Sequence, residues 1–132
     1  MAVKGKVIFI DTVHPILFER LEMEGYECHW KNNLDRESIL NIIEKYNGAV
    51  IRSKFKFDEE VFNAAKELKW IARSGAGMEN IDLEIAKSKG IACYNSPEGN
   101  KDAVAEHALG MLLSLFNNII QGDKEVRKGE WN

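Results

Sequence analysis

The sequence predicts an α/β fold: a doubly wound, five-stranded parallel sheet followed by a long C-terminal helix. Three observations carry that expectation. Short strand-like runs switch repeatedly with helical stretches, five times over, which is the rhythm of a parallel sheet covered on both faces. A chain of 132 residues has room for one such domain with a real core. The final helical stretch is apolar around more than the usual stripe, which sets it apart from the helices before it.

In chain order, residues 7–10 read as the first strand, and Pro15 opens a helix that turns Ile16, Leu17 and Leu21 to one side. Residues 26–30 form a second, more polar strand suited to a sheet edge. Asp35 is placed to cap a helix carrying Ile39, Leu40, Ile42 and Ile43, ended near Gly48. The third strand, residues 49–51, runs into Arg52, Ser53 and Lys54, and a short helix with Val61, Phe62 and Ala65 follows from Asp58. Residues 70–72 are the fourth strand, with a glycine-containing loop at 75–80. Asp82 caps the next helix, Gly90 stops it, and residues 91–94 are the fifth strand. The expected strand order is 2-1-3-4-5, the flavodoxin-like arrangement, with ligands outside the C-terminal strand ends.

The last helix is expected over residues 102–121, about 30 Å at roughly 1.5 Å per residue. Its apolar positions, among them Val104, Leu109, Leu112, Leu115 and Ile119, need cover on a second side, from another domain or another subunit. The domain boundary falls accordingly, with 1–100 as the ligand-binding domain and 101–132 as a crossing helix leading into a further domain.

A net charge of −3 gives no reason to expect nucleic acid or an anionic membrane as partner. The apolar run at 7–10 is too short for a signal peptide or a membrane span, so a cytoplasmic location is expected. Cys28 and Cys93 stand far apart without metal-ligand spacing and read as reduced, half-buried thiols; no metal site is expected.

Gly75, Ala76 and Gly77 superficially suit the dinucleotide fingerprint GxGxxG. The third glycine position is Asn80, however, and the loop follows the fourth strand rather than the first. A tight structural turn and a carboxylate cradle both fit it, since two glycines let successive N–H groups face one oxygen. Arg52 offers a planar fork for carboxylate or phosphate, and Lys54 a second positive charge. Asn100, at the start of the last helix, suits an N-cap whose amide also faces a ligand. His14, His29 and His107 lie apart from one another and from any suitably placed acid, and read as structural or solvated.

Taken together, Arg52-Ser53, the 75–82 loop, Gly90-Ile91, residues 95–100, Val104-Ala105-Glu106 and Gly129-Glu130-Trp131 resemble, in order and spacing, the NAD-dependent D-2-hydroxyacid dehydrogenases. That family includes D-3-phosphoglycerate dehydrogenase. The resemblance covers roughly residues 49–131; the first 48 share only the strand–helix rhythm. It implies a substrate domain facing an NAD-binding domain across a cleft. Hydride passes there between nicotinamide and C2 of a small 2-hydroxy or 2-oxo acid.

Carried over, the amides of Gly75, Ala76 and Gly77 hold the substrate carboxylate. Arg52 and Ser53 line the cleft, Lys54 reaches a distal phosphate, and Asn100 orients the substrate. Ala76 and Val104 pack near the nicotinamide. The long helix crosses between domains; its apolar exposure, apart from the resemblance, leads us to expect a homodimer through it. The family's catalytic arginine, glutamate and histidine and its GxGxxG find no counterpart, so no catalytic residue is assigned and the isolated chain is expected to be inactive. Phe55 replaces a common threonine, and Met78-Glu79 a commoner small or aspartate-containing pair; both bear on which acid is bound.

Two other classes compete. A phosphoacceptor receiver of the same fold needs clustered acids after the first strand, an aspartate after the third and a lysine after the fifth. Here those places hold Asp11 alone, Arg52-Ser53 and Asn95-Ser96. The alternative that remains is a non-catalytic small-anion-binding or dimerisation module using the apolar helix.

Overall fold

The computed structural model describes residues 3–131. Five strands, β1 (Lys6–Phe9), β2 (Glu27–Trp30), β3 (Gly48–Ile51), β4 (Trp70–Arg73) and β5 (Ala92–Tyr94), form one parallel sheet in the order β2-β1-β3-β4-β5. Between them run α1 (Pro15–Met23), α2 (Arg36–Leu40), a 3₁₀ turn at Ile43–Lys45, α3 (Glu59–Ala64) and α4 (Leu83–Ser88). The register sets Ile8 beside Ala49, and Ala49 beside Ile71.

Alternation along each strand divides the core into two layers. Ile8, Ile10, Ala49, Ile51 and Ile71 face a layer closed by Ile39, Ile43, Val61, Phe62 and Ala86 from the segments after β2, β3 and β4. Val7, Phe9 and Val50 face the other way, where Leu17, Phe18 and Leu21 of α1 cover them. The short helices are started by local chemistry. The carboxylates of Asp35, Asp58 and Asp82 accept from the N–H groups of Ser38, Val61 and Ile85 at 2.9, 3.4 and 3.0 Å. His14 caps α1 through Nδ1, which accepts from Ile16 N at 3.2 Å, with Pro15 at the first helical position.

Two helix expectations are corrected. The helix after Asp35 ends at Leu40 rather than near Gly48, and the chain continues as the 3₁₀ turn that buries Ile43. The C-terminal helix is present, but as α5 (Lys101–Phe116), followed after Asn117 and Asn118 by α6 (Ile119–Lys128) at a bend of 58°. Asn118 is left-handed, with φ 50° and ψ 33°, a conformation asparagine tolerates better than other residues bearing a Cβ. Asn117 Nδ2 donates to Leu113 O at 3.0 Å, a side-chain bond that competes with helix continuation.

The chain divides between Pro97 and Glu98 into two compact units. The sheet and α1 to α4 belong to the first. The second holds α5 and α6, and none of its described residues is buried. No single helix is long and apolar enough to cross a membrane; α5 and α6 reach that length and composition only as a bent pair.

Candidate functional site

In the first unit the candidate residues gather at the C-terminal ends of β3 and β4, where parallel pairing sets Ile51 beside Arg73. Ser74 N extends that ladder by donating to Ile51 O at 2.8 Å. Arg52, the next residue after β3, is held through its backbone. Its N–H donates to Asp11 Oδ2 at 2.5 Å, and its carbonyl accepts from Arg73 Nε and Asn80 Nδ2, both at 3.1 Å. Its side chain is exposed, and among the described residues no carboxylate lies within ion-pair distance of its guanidinium. Ser53 is exposed beside it.

The turn after β4 is fixed on both flanks. Gly75 O accepts from Ser96 N at 2.9 Å, and Ala76 O from Asn95 Nδ2 at 2.6 Å, both donors lying just past β5. Gly75 N–H turns back to Arg73 O at 2.9 Å, whereas the N–H groups of Ala76 and Gly77 make no backbone hydrogen bond among the described residues. A Cβ at Gly75 would run into the guanidinium of Arg73, a side chain only 13% exposed, so the close approach demands glycine. At Gly77 a Cβ would meet only the flexible carboxylate of Glu79, which pairs with Arg73 at 3.4 Å.

Lys54 is placed differently from its expected role at a distal phosphate. Its Nζ donates to Asn32 O at 2.7 Å and Leu34 O at 2.5 Å, in the loop after β2. Two of its three donors are therefore occupied by carbonyls that the end of β2 leaves unpaired. In the second unit, Asn100 occupies the N-cap position of α5 but its amide makes no cap bond, and Val104 is 57% exposed on the same helix.

The histidines are accounted for structurally. His29 bridges Tyr46 Oη at 3.1 Å and Glu27 Oε1 at 3.1 Å. Burial, then the charge of Glu27, raises the Tyr46 phenol above its usual value. His107 is exposed and lines a cleft of about 1020 Å³ between α5 and α6, within the second unit. Among the described residues no group of three His, Cys, Asp or Glu side chains is arranged to hold a metal ion.

The pyrophosphate of a dinucleotide finds no cradle at the 75–77 turn. The helix that follows begins only at Leu83, and its N-terminus is already capped by the Asp82 carboxylate, which repels a phosphate. Asp11, Arg73, Asn80 and Asn95 escaped the sequence reading as site residues. The one signal available for Asp11 was its position past β1, the strand beside β3.

Residues 7–126 match the catalytic domain of the family described as D-isomer specific 2-hydroxyacid dehydrogenase. A D-3-phosphoglycerate dehydrogenase of Archaeoglobus fulgidus is 36% identical over 126 residues, covering 96% of this chain and 24% of the relative. The chain thus spans about a quarter of the length of the curated relatives it matches. A crystal structure of a Pyrococcus horikoshii protein superposes with a TM-score of 0.89 at 28% identity, over 98% of this chain and 39% of that one. The NAD+-bound 3-phosphoglycerate dehydrogenase of Entamoeba histolytica gives a TM-score of 0.71 at 31% identity, over 86% of this chain and 39% of its own.

Proposed function

This chain belongs to the D-isomer specific 2-hydroxyacid dehydrogenase family, and on that premise we propose that it is the substrate-binding part of an oxidoreductase acting on a D-2-hydroxy acid with NAD. The observation that carries the reading is the pairing of two anion-binding elements at neighbouring strand ends. The N–H groups of Ala76 and Gly77, free of backbone partners among the described residues, suit a carboxylate, and the fork of Arg52, which has no partner among the described residues, suits a second anionic oxygen pair. Ser53 lines the same place. 3-Phosphoglycerate is the preferred acid, on the strength of the relatives' activity as D-3-phosphoglycerate dehydrogenases and of Arg52. Its phosphate is assigned to Arg52 more than to Lys54, whose ammonium is tied to Asn32 and Leu34.

In this reading Asn100 orients the substrate, and Ala76 and Val104 border the nicotinamide. NAD supplies the hydride acceptor; its pyrophosphate is held by a further domain, which also covers the apolar faces of α5. Homodimerisation through α5 and a cytoplasmic location complete the proposal. Among the described residues no histidine lies in the turns after β3 and β4 to serve as proton donor to the hydroxyl, and in this reading the chain is inactive by itself.

The test is an NMR titration of the ¹⁵N-labelled protein with 3-phosphoglycerate and, separately, D-lactate. The amides of Ala76 and Gly77 are expected to shift with both acids, at lower concentration for 3-phosphoglycerate, and that of Arg52 with 3-phosphoglycerate. Shifts absent from all three amides at tens of millimolar of both acids would sink the reading.

A further inference from the structure

The backbone of Arg52 is bonded at both its N–H and its carbonyl, by three side chains from elsewhere in the first unit. Asp11 comes from the end of β1, Arg73 from the end of β4, and Asn80 from the loop beyond. Asp11 Oδ2 also receives the N–H of Lys54 at 3.4 Å, so one carboxylate spans the whole Arg52-Ser53-Lys54 turn. The ammonium of Lys54 fastens the far end of that turn to Asn32 O and Leu34 O, and Asn32 Nδ2 donates to Thr12 Oγ1 at 3.1 Å, next to Asp11. The backbone of Arg52 and both the N–H and the ammonium of Lys54 are tied down, whereas the guanidinium of Arg52 has no partner among the described residues.

Electrostatics make Asp11 the informative member. A carboxylate beside an anion site opposes the anion's charge, so its presence there has to be justified by geometry. A charge-assisted bond to a backbone N–H is short and directional, and it restricts the turn from which Arg52 projects. A guanidinium presented from a restrained backbone loses less freedom on binding than one on a loose loop.

We propose that Asp11 is a positioning residue: it clamps the turn after β3 so that Arg52 is presented, preorganised, to an anionic substrate. The proposal rests on reading Arg52 and the 75–77 turn as the anion site. Arg73 and Asn80 hold the opposite, carbonyl side of the same residue.

The experiment compares the protein with its D11A, D11N and N80A variants by two readouts. The first needs no ligand: amide hydrogen exchange at Arg52. Protection is expected in the parent protein and in D11N, whose amide oxygen still accepts, and is expected to be lost in D11A. Unchanged protection of the Arg52 amide in D11A overturns the clamp, whatever the protein binds. The second readout is the dissociation constant for 3-phosphoglycerate from the NMR titration. D11A is expected to bind about tenfold more weakly, and D11N within about twofold of the parent or more tightly, because it keeps the acceptor and sheds the charge. N80A, which leaves Arg73 on the carbonyl, is expected to fall between. D11A binding as tightly as the parent, or more tightly, overturns the proposal, since removal of a repelling charge would then be the only effect. A parent protein that fails to bind 3-phosphoglycerate refutes the reading of the site, and the exchange result decides the clamp separately.

Discussion

The two units of the chain are both rich in apolar side chains, yet they use them in opposite ways. In the first, Val7, Ile8, Ile39, Ala49, Val61 and Ile71 are wholly removed from solvent. In the second, Leu115 and Phe116 are 74% and 75% exposed, and no described residue is buried. Strands flanked by helices cover one another, because each strand offers a side chain alternately to the layer on either face. Two helices in contact can each cover only one stripe, and α5 is apolar around more of its surface than α6 can reach. Apolar content therefore does not measure burial. It measures a demand for a partner, which the first unit meets internally and the second leaves open.

Substitutions sharpen that contrast. The largest expected effect is Phe62→Ala, where a side chain 1% exposed fills the layer between the sheet and α3. A loss of about 3–5 kcal/mol in urea unfolding is expected, with an unchanged dependence on denaturant. Asp58→Ala ranks second, at about 1–2 kcal/mol, because it removes the α3 cap and the two-pronged contact with Arg36 at 2.8 and 3.0 Å. That ion pair is half exposed and adds little by itself.

The Asp58 difference also carries a pH signature. The hydrogen bond from Arg36 holds the Asp58 carboxyl below its usual 3.8. A carboxyl depressed in the folded state stabilises above its unfolded value, and that contribution is lost as pH falls through the folded one. The gap between the parent protein and Asp58→Ala is therefore expected to narrow in acid below 3.8. A gap that stays constant to pH 2 would show that the cap bond, and not the charge, carries the effect.

Leu112→Ala on α5 is the prediction most able to break the comparison. At 48% exposure it is expected to cost under about 0.5 kcal/mol at concentrations where the chain is monomeric, and more once the proposed dimer through α5 forms. A loss approaching that of Phe62→Ala would mean that α5 is already covered in solution, by another copy of the chain. The smallest expected effect concerns the thiols. Burial, then the charge of Glu22, pushes the Cys28 thiol up to about 11, and burial alone raises Cys93. Peptide mapping after iodoacetamide treatment at pH 8 is expected to find Cys93 labelled first and Cys28 labelled only on unfolding. Because the Cys28 value is raised by folding, its contribution is fully present below 9.0 and fades toward about 11.

Much of the sheet was legible beforehand because its signals are local or periodic. Strand-like runs marked each strand within a residue or two, Asp35 and Asp82 announced their helices, single strands between helices argued for parallel pairing, and the expected flavodoxin-like order 2-1-3-4-5 is the one observed. The break at Asn117 and Asn118 was misread because the apolar positions between 104 and 120 outweighed two polar ones in a periodicity count. The candidate site was legible by residue type and not by role. Arg52 and the 75–77 turn were named, whereas Gly75 N–H and the Lys54 ammonium turned out to be occupied by protein carbonyls.

By itself, then, the sequence determined the element order, the layer rule and the chemical types gathered at the strand ends, since each follows from near neighbours and from side-chain period. Only the tertiary structure decided which of those groups are spent on the protein and which are left to a ligand. Asp11 meets Arg52 across 41 residues, and Asn80 meets it across 28, because β1, β3 and β4 lie side by side in a sheet whose neighbours are not neighbours in sequence. Hydrogen bonds saturate donors one at a time, and saturation is a property of the folded arrangement, which no count along the chain can read.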